Sequence, residues 1–372
     1  MSNLRTLILV AAVCSGCATL VYELLWIRAL VLTIGATFPA ITVVLAGFMT
    51  GLGLGSVIGG VIADRTARPL RAYAIVELLV AVVAVAYPYI ALAVTRLDIP
   101  AIGPLSGRAI LAGLTMLPAT TLIGTTFPLL SAGLHTGDGG GHVPRLYAAN
   151  TLGAALGAFL GGLFLPYWFG VAGALAAAAA LNLLAAFLAT RVKVERLVAP
   201  AATPAAEGGA PPPVLLWLAF GSGVLMTFAQ LFWTRATIQM EDAPLNDPSS
   251  TMAVILATLL LGNAVGSTLA GRLDTARLDT VARPLAWTWI IGAVATVCAL
   301  EWFAVRGYGL PLGYEPPLAR SQAWVVFAVR LAPILLASVV LGFGFPLLTR
   351  FYAGALAGHG RRLGRIWAFN TA

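Results

Sequence analysis

Charge is what this chain has least of. Asp, Glu, Lys and Arg make up only 10% of its 372 residues, against roughly a quarter in an ordinary soluble domain, and that deficit excludes a soluble globular protein. Cysteine is nearly as scarce, at three residues. Cys14 and Cys17 form a C-x-x-C and Cys298 stands alone, so there is neither a disulfide framework nor a zinc-ligand pattern. The three histidines, His135, His142 and His359, fall between apolar runs in segments expected to be cytoplasmic loops, too scattered to ligate a metal. No metal and no cofactor are expected. The net charge of +8 comes without a Lys/Arg tract or aromatic interleaving, which argues against a nucleic-acid partner.

What the chain does have is apolar length. Sixty per cent of it is hydrophobic and its mean hydropathy is +0.93, in blocks of about 20 residues, enough for a helix to cross a bilayer. Spans are expected over 6–32, 39–62, 71–94, 109–134, 147–167, 171–190, 214–236, 250–271, 284–304 and 323–349, with an eleventh opening at Arg365. A cytoplasmic N-terminus puts Arg65, Arg68, Arg71, Arg145, Arg191, Lys193, Arg196, Arg272, Arg277, Arg283, Arg350, Arg361, Arg362 and Arg365 on one side, as the positive-inside rule requires. The expected location is therefore the cell (inner, cytoplasmic) membrane, with the bilayer as the chain's first partner. LILVAAVCSGC resembles a lipoprotein signal ending at Cys17. Cys14 stands where such a signal wants an aliphatic residue, and the apolar run continues, which favours a retained first helix.

The chain is duplicated. SGCATLVYELLWIRAL at Ser15 returns as SGVLMTFAQLFWTRAT at Ser222, and GLGLGSVIGGVIAD at Gly51 as GNAVGSTLAGRLD at Gly262. TTFPLLSAG around Phe127 returns as FGFPLLTRF around Phe345, and RLYAANT at Arg145 as RIWAFNT at Arg365. Six spans in the first copy make the repeats parallel. The expected organisation is a first six-helix repeat over 1–197, a Pro/Ala/Gly-rich cytoplasmic linker over 198–213 (VAPAATPAAEGGAPPP) and a second, incomplete repeat over 214–372. Gly47, Gly51, Gly55 and Gly59 recur every fourth residue on span two, and Gly153, Gly157 and Gly161 do so on span five. Each row makes a helix face that another helix can approach closely, and the match between spans two and five suggests a nested three-plus-three repeat.

GGVIADRTARPL, Gly59 to Leu70, resembles the loop between helices two and three of the major facilitator superfamily (MFS). The resemblance implies an all-α, MFS-like bundle of two parallel six-helix repeats, with Asp64, Arg65 and Arg68 binding the ends of neighbouring helices and influencing conformational switching. The second copy keeps only Gly271, Asp274 and Arg277 of this pattern. More specifically, SGCATLVYELLWIRAL, the glycine-rich span two, FPLL and RLYAANTLGAALG are similar to the membrane region of fused MFS/spermidine-synthase proteins, over nearly the whole chain. That resemblance implies a polyamine and, in the full-length protein, an aminopropyltransferase domain as partners. TGDGGGH, Thr136 to His142, looks superficially like the Gly-rich loop of such enzymes. It lacks the strand before it and the downstream acid that a nucleotide loop needs, so it reads as a cytoplasmic loop. Against Arg145 and Asn150, the ending RIWAFNTA reads as a truncation before a glycine-lined helix. That helix would pack near the Gly47 to Gly59 face, which is expected to be left uncovered.

Ionisable residues inside spans are costly and mark pairs or function. Span one offers Tyr22, Glu23, Trp26 and Arg28. Glu23 and Trp26 are three residues apart and share a face, giving either a carboxylate–aromatic cluster suited to an organic cation or an interfacial aromatic belt with a snorkelling arginine. The second copy has Ala229, Gln230, Trp233 and Arg235 at these places, so what is shared reads as architecture and what differs as site. Glu77 in span three and Arg330 in span ten are candidates for buried interhelical pairs. Asn150 and Asn370 are expected to cap or bond helices. Three functions fit: a transporter-like module for polyamines or another small organic solute, the membrane part of an aminopropyltransferase whose catalytic domain is elsewhere, or a non-catalytic scaffold. No catalytic residue is expected within the chain.

Overall fold

The computed structural model describes residues 2–34, 38–95, 105–134, 142–192, 213–238, 248–272, 320–353 and 358–371, with Trp287, Ile290, Ile291, Gly292, Val294 and Cys298 besides. Among these the elements are all helical: α1 (Ser2–Ile34), α2 (Phe38–Arg65), α3 (Pro69–Thr95), α4 (Leu105–Leu134), α5 (Val143–Leu163), α6 (Leu165–Arg191), α7 (Val214–Ile238), α8 (Pro248–Ala270), α9 (Arg320–Ala353) and α10 (His359–Thr371). Nine of them contain stretches long and apolar enough to cross a membrane. A helix pairs its backbone polar groups internally, the arrangement hydrocarbon demands, except in the turns before Pro88, Pro118, Pro128, Pro333 and Pro346. Large apolar side chains such as Val82, Phe169, Phe187, Phe228 and Leu336 are exposed, an apolar surface suited to contact with lipid.

Several boundaries differ from the sequence reading. The expected span over 147–167 is a helix from Val143 to Leu163, and α6 begins at Leu165 and kinks at Gly170, whose φ of 67° is open to glycine. The helix expected to open at Arg365 opens at His359 instead. Gly358, at φ 70°, turns the chain into it, so the basic residues Arg361, Arg362 and Arg365 lie within α10. The linker over 198–213 falls outside the described residues except for Pro213, as does most of the span over 284–304.

α1 packs on α5 and α6, α2 on α4, and α3 on α4 and α6, while α8 packs on α9. Joining these sets, α5 lies on α8 and α2 on α10, and α10 also touches α7. Small residues set the approach. The Gly153, Gly157 and Gly161 face of α5 meets Val13, Cys17 and Val21 of α1. The Gly47, Gly51, Gly55 and Gly59 face is not uncovered as expected: α4 lies on it through Gly113, Thr120, Thr121, Gly124 and Thr125. The sequence reading missed a second face of α2, where Gly53 and Gly60 meet Ala368, Thr371 and Gly360 of α10; a Cβ on Gly60 would lie 3.0 Å from the Gly360 carbonyl carbon.

Candidate functional site

Two places bring together the polar and aromatic side chains that this apolar sequence can spare. The first lies inside the α1, α3, α6 packing. Glu77 is fully buried on α3 and its Oε2 accepts from Nδ2 of Asn182 on α6. Asn182 Oδ1 in turn accepts from the Tyr22 hydroxyl of α1 at 2.9 Å. Glu77 Oε1 has no hydrogen-bond partner among the described residues. The Tyr22 ring stacks on Trp26 at 5.8 Å, and Trp26 packs against Tyr87 at 4.6 Å while donating its indole N–H to the Ala84 carbonyl at 3.2 Å. Tyr22 and Trp26 therefore look inward toward α3 and α6.

Glu23 looks elsewhere. Gly16 precedes it by seven residues, about 20° away around a helix with 3.6 residues per turn, and Gly16 backs onto Asn150 of α5. Glu23 is 4% exposed, and no hydrogen bond or ion pair reaches its carboxylate from the described residues. Arg28 donates to the Gly162 carbonyl at the far end of α5 at 2.8 Å, as a snorkelling side chain does. In α7, Gln230 and Trp233 are buried, Trp233 among Ala229, Ile255, Leu259 and Ile334. The side chains of Arg235 and Arg330 lie outside the described residues.

The second place is the end of the bundle that carries the α1 N-terminus. Asp64, last but one in α2, caps α10: Gly360 N donates to Oδ1 at 2.7 Å, Arg361 N to Oδ2 at 3.0 Å, and Arg361 Nε to Oδ2 at 3.2 Å. A carboxylate on two orphan amides at a helix start is a favourable, charge-assisted arrangement. Arg65 and Arg68 are exposed there, and the Arg68 backbone N–H donates to Thr66 Oγ1 at 3.2 Å. Deeper, four aromatic rings close together. Trp367 of α10 lies 4.2 Å from Phe127 of α4, 5.6 Å from Tyr147 of α5 and 5.6 Å from Phe345 of α9, with Tyr147 to Phe345 also 5.6 Å. Beside them, His142 and His359, expected in separate loops, both reach Ser131 of α4.

Asn182, Ser131 and the four rings stand at these two places but are not among the candidates the sequence singles out. The rings had a signal, because Phe127 aligns with Phe345 and Tyr147 with Trp367 in the repeated motifs. Asn182 had one as the lone amide within an alanine-rich span. Gly16 and its repeat Gly223 also behave alike, facing the carbonyls of Asn150 and Asn370; Asn370 itself donates to the Ala219 carbonyl at 3.0 Å.

The described helices form an all-α, MFS-like membrane fold. No protein-family model matches the chain, and no curated protein matches it in sequence. Among solved structures it is similar to a bacterial homologue of the iron transporter ferroportin in the outward-facing state, with a TM-score of 0.63 and 14% identity over 99% of this chain and 89% of that one. It is also similar to XylE, a proton:xylose symporter of the major facilitator superfamily, with a TM-score of 0.54 and 15% identity over 100% of this chain and 86% of that one.

Proposed function

We propose that the chain is a solute carrier working by alternating access, and that the closed end described above is its cytoplasmic gate. The arginine distribution supports that orientation. The observation that carries the reading is the joining of first-copy to second-copy helices at that end by the Asp64 cap and the four-ring cluster. Both contacts are suited to repeated breaking. Arg361 is 69% exposed, where an ion pair contributes about 1 kcal/mol or less, and aromatic rings part without leaving buried charge.

The solute we infer is a small organic cation, of which a polyamine is the example the sequence motifs suggest. Glu23 supports this, being a carboxylate within a span that no described residue pairs, since an intramembrane carboxylate of that kind invites a cationic ligand. The iron and xylose of the structural neighbours are their own solutes, and likeness at 14–15% identity does not choose between them. Uptake of labelled putrescine and spermidine into proteoliposomes tests the reading. Saturable uptake that Glu23→Gln abolishes supports it, and no uptake by the unaltered protein removes it. The competing aminopropyltransferase reading rests on the motifs at 15–30, 127–130 and 145–157. With the catalytic domain elsewhere, that reading predicts neither solute uptake nor spermidine formation from putrescine and decarboxylated S-adenosylmethionine by this chain alone, so saturable uptake by the same preparation counts against it.

A further inference from the structure

The geometry points to a transition-metal site, of the kind a Zn²⁺ ion fills, formed by His142, just before α5, and His359, the first residue of α10, where both reach Ser131 of α4. Each imidazole presents Nε2 to one atom, Ser131 Oγ, at 3.2 Å in both cases. The two ring centroids are 5.6 Å apart with their planes inclined at 43°. With Zn–N bonds of about 2.0–2.1 Å at a tetrahedral angle, two imidazoles ligating one ion through the same nitrogen have centroids about 5.2 Å apart. The ring centroids are thus about half an ångström further apart than a shared ion requires, and both Nε2 atoms already converge on one point, the Ser131 hydroxyl.

The Ser131 hydroxyl holds one proton, so it donates to one Nε2 and accepts from the other. Binding an ion requires the second ring to move its proton to Nδ1, after which both Nε2 lone pairs face the ion and Ser131 or water completes the shell. His359 is fully enclosed at the first residue of α10 and His142 is half-buried just before α5, so the ion would enter from the His142 side. The Asp64 carboxylate stands beside it, bound to the amides of Gly360 and Arg361 that follow His359 and paired with Arg361 Nε. One ligand comes from each copy of the repeat. A bound ion would therefore tie the closed end shut, which makes it a regulator rather than a cargo; the site itself does not depend on which solute is carried.

Titration calorimetry of the purified full chain in detergent with Zn²⁺ tests this. One ion per chain with micromolar affinity is expected, weakened about tenfold or more by His142→Gln and by His359→Gln. Glutamine keeps a hydrogen-bonding group toward Ser131 and ligates poorly, so loss of binding in a variant with unchanged melting temperature is loss of a ligand. Hydrogen exchange supplies a second readout: Zn²⁺ should slow amides at 142–147 and 359–366 in the unaltered chain and in neither variant. Binding that survives both glutamine variants, or that follows His135→Gln or Cys14→Ser instead, overturns the proposal.

Discussion

The matching sequence motifs in the first and second halves of the chain are used alike where backbones meet and unlike where charge is buried. Gly16 faces the Asn150 carbonyl and Gly223 the Asn370 carbonyl. Ser56 on α2 bonds the Gly124 carbonyl at 3.4 Å, and its repeat Ser267 on α8 bonds the Gly342 carbonyl at 3.0 Å. Phe127 and Tyr147 meet Phe345 and Trp367 at one seam. Against this sameness, the Tyr22–Asn182–Glu77 chain belongs to the first copy, whose Tyr22 and Glu23 become Ala229 and Gln230. The matched motifs keep the residues that let helices approach, while the ionisable residues differ between them.

Loading the shared contact should have the largest effect, and in both copies. A Cβ on Gly16 would lie 3.0 Å from the Asn150 carbonyl carbon and 3.1 Å from Ala154 N; on Gly223 it would lie 2.7 Å from the Asn370 carbonyl carbon. These are backbone atoms and cannot step aside. Gly16→Val and Gly223→Val should each lose about 1–3 kcal/mol or more, read as a fall in melting temperature of the detergent-solubilised protein. A tolerant second copy would break the equivalence of the two crossings.

The unshared polar chain comes next. Asn182→Leu removes the partner of both Tyr22 and Glu77 and leaves a buried carboxyl without its amide, at a cost of about 1–3 kcal/mol. Tyr22→Phe removes one interhelical hydrogen bond, and such bonds in membrane proteins average about 0.6 kcal/mol, so it should cost less than Asn182→Leu. The ordering of the two variants is the test. Equal costs would mean that packing of the Tyr22 ring, not the chain through Asn182, distinguishes the first copy.

A smaller effect is expected at the helix starts. α10 begins under the Asp64 carboxylate, whereas α5 begins at His142 with no side-chain cap. Asp64→Ala makes α10 resemble α5 and should cost about 1 kcal/mol, seen as faster hydrogen exchange at residues 359–364. Asp64→Asn keeps a capping oxygen and should exchange nearly as slowly as the unaltered chain, because the exposed Arg361 pair adds little.

Most of the fold was legible because membrane helices announce themselves by length and composition, and repeats by register. The paired roles of Gly16 and Gly223 were written in the aligned motifs. Less legible was anything depending on which way a helix is turned. Glu23 and Trp26 are three residues apart, yet Trp26 is drawn toward α3 by the Ala84 carbonyl and Glu23 is not. Glu77 finds Asn182 from a span 105 residues away, a distance over which no local spacing rule applies. The start of α10 was misjudged because a polar run, HGRRLGR, reads as loop by hydropathy. Its apolar positions Leu363 and Ile366 are three apart and both buried, an amphipathic pattern that the arginines obscure.

The four rings offer the finest comparison, because Tyr147 and Trp367 are repeat equivalents of different chemistry in one cluster. Trp367 Nε1 is buried without a hydrogen-bond partner among the described residues, a cost of about 1–3 kcal/mol for a donor taken from water. Trp367→Phe removes that donor together with part of the ring contact to Phe127. The two terms oppose each other, so the melting temperature should shift by little, with a net effect of about 1 kcal/mol or less. A loss much larger than this would mean that the indole N–H is bonded in the membrane-embedded protein. The contact would then be held by a hydrogen bond of Trp367 rather than by a cluster of equivalent rings from the two halves of the chain.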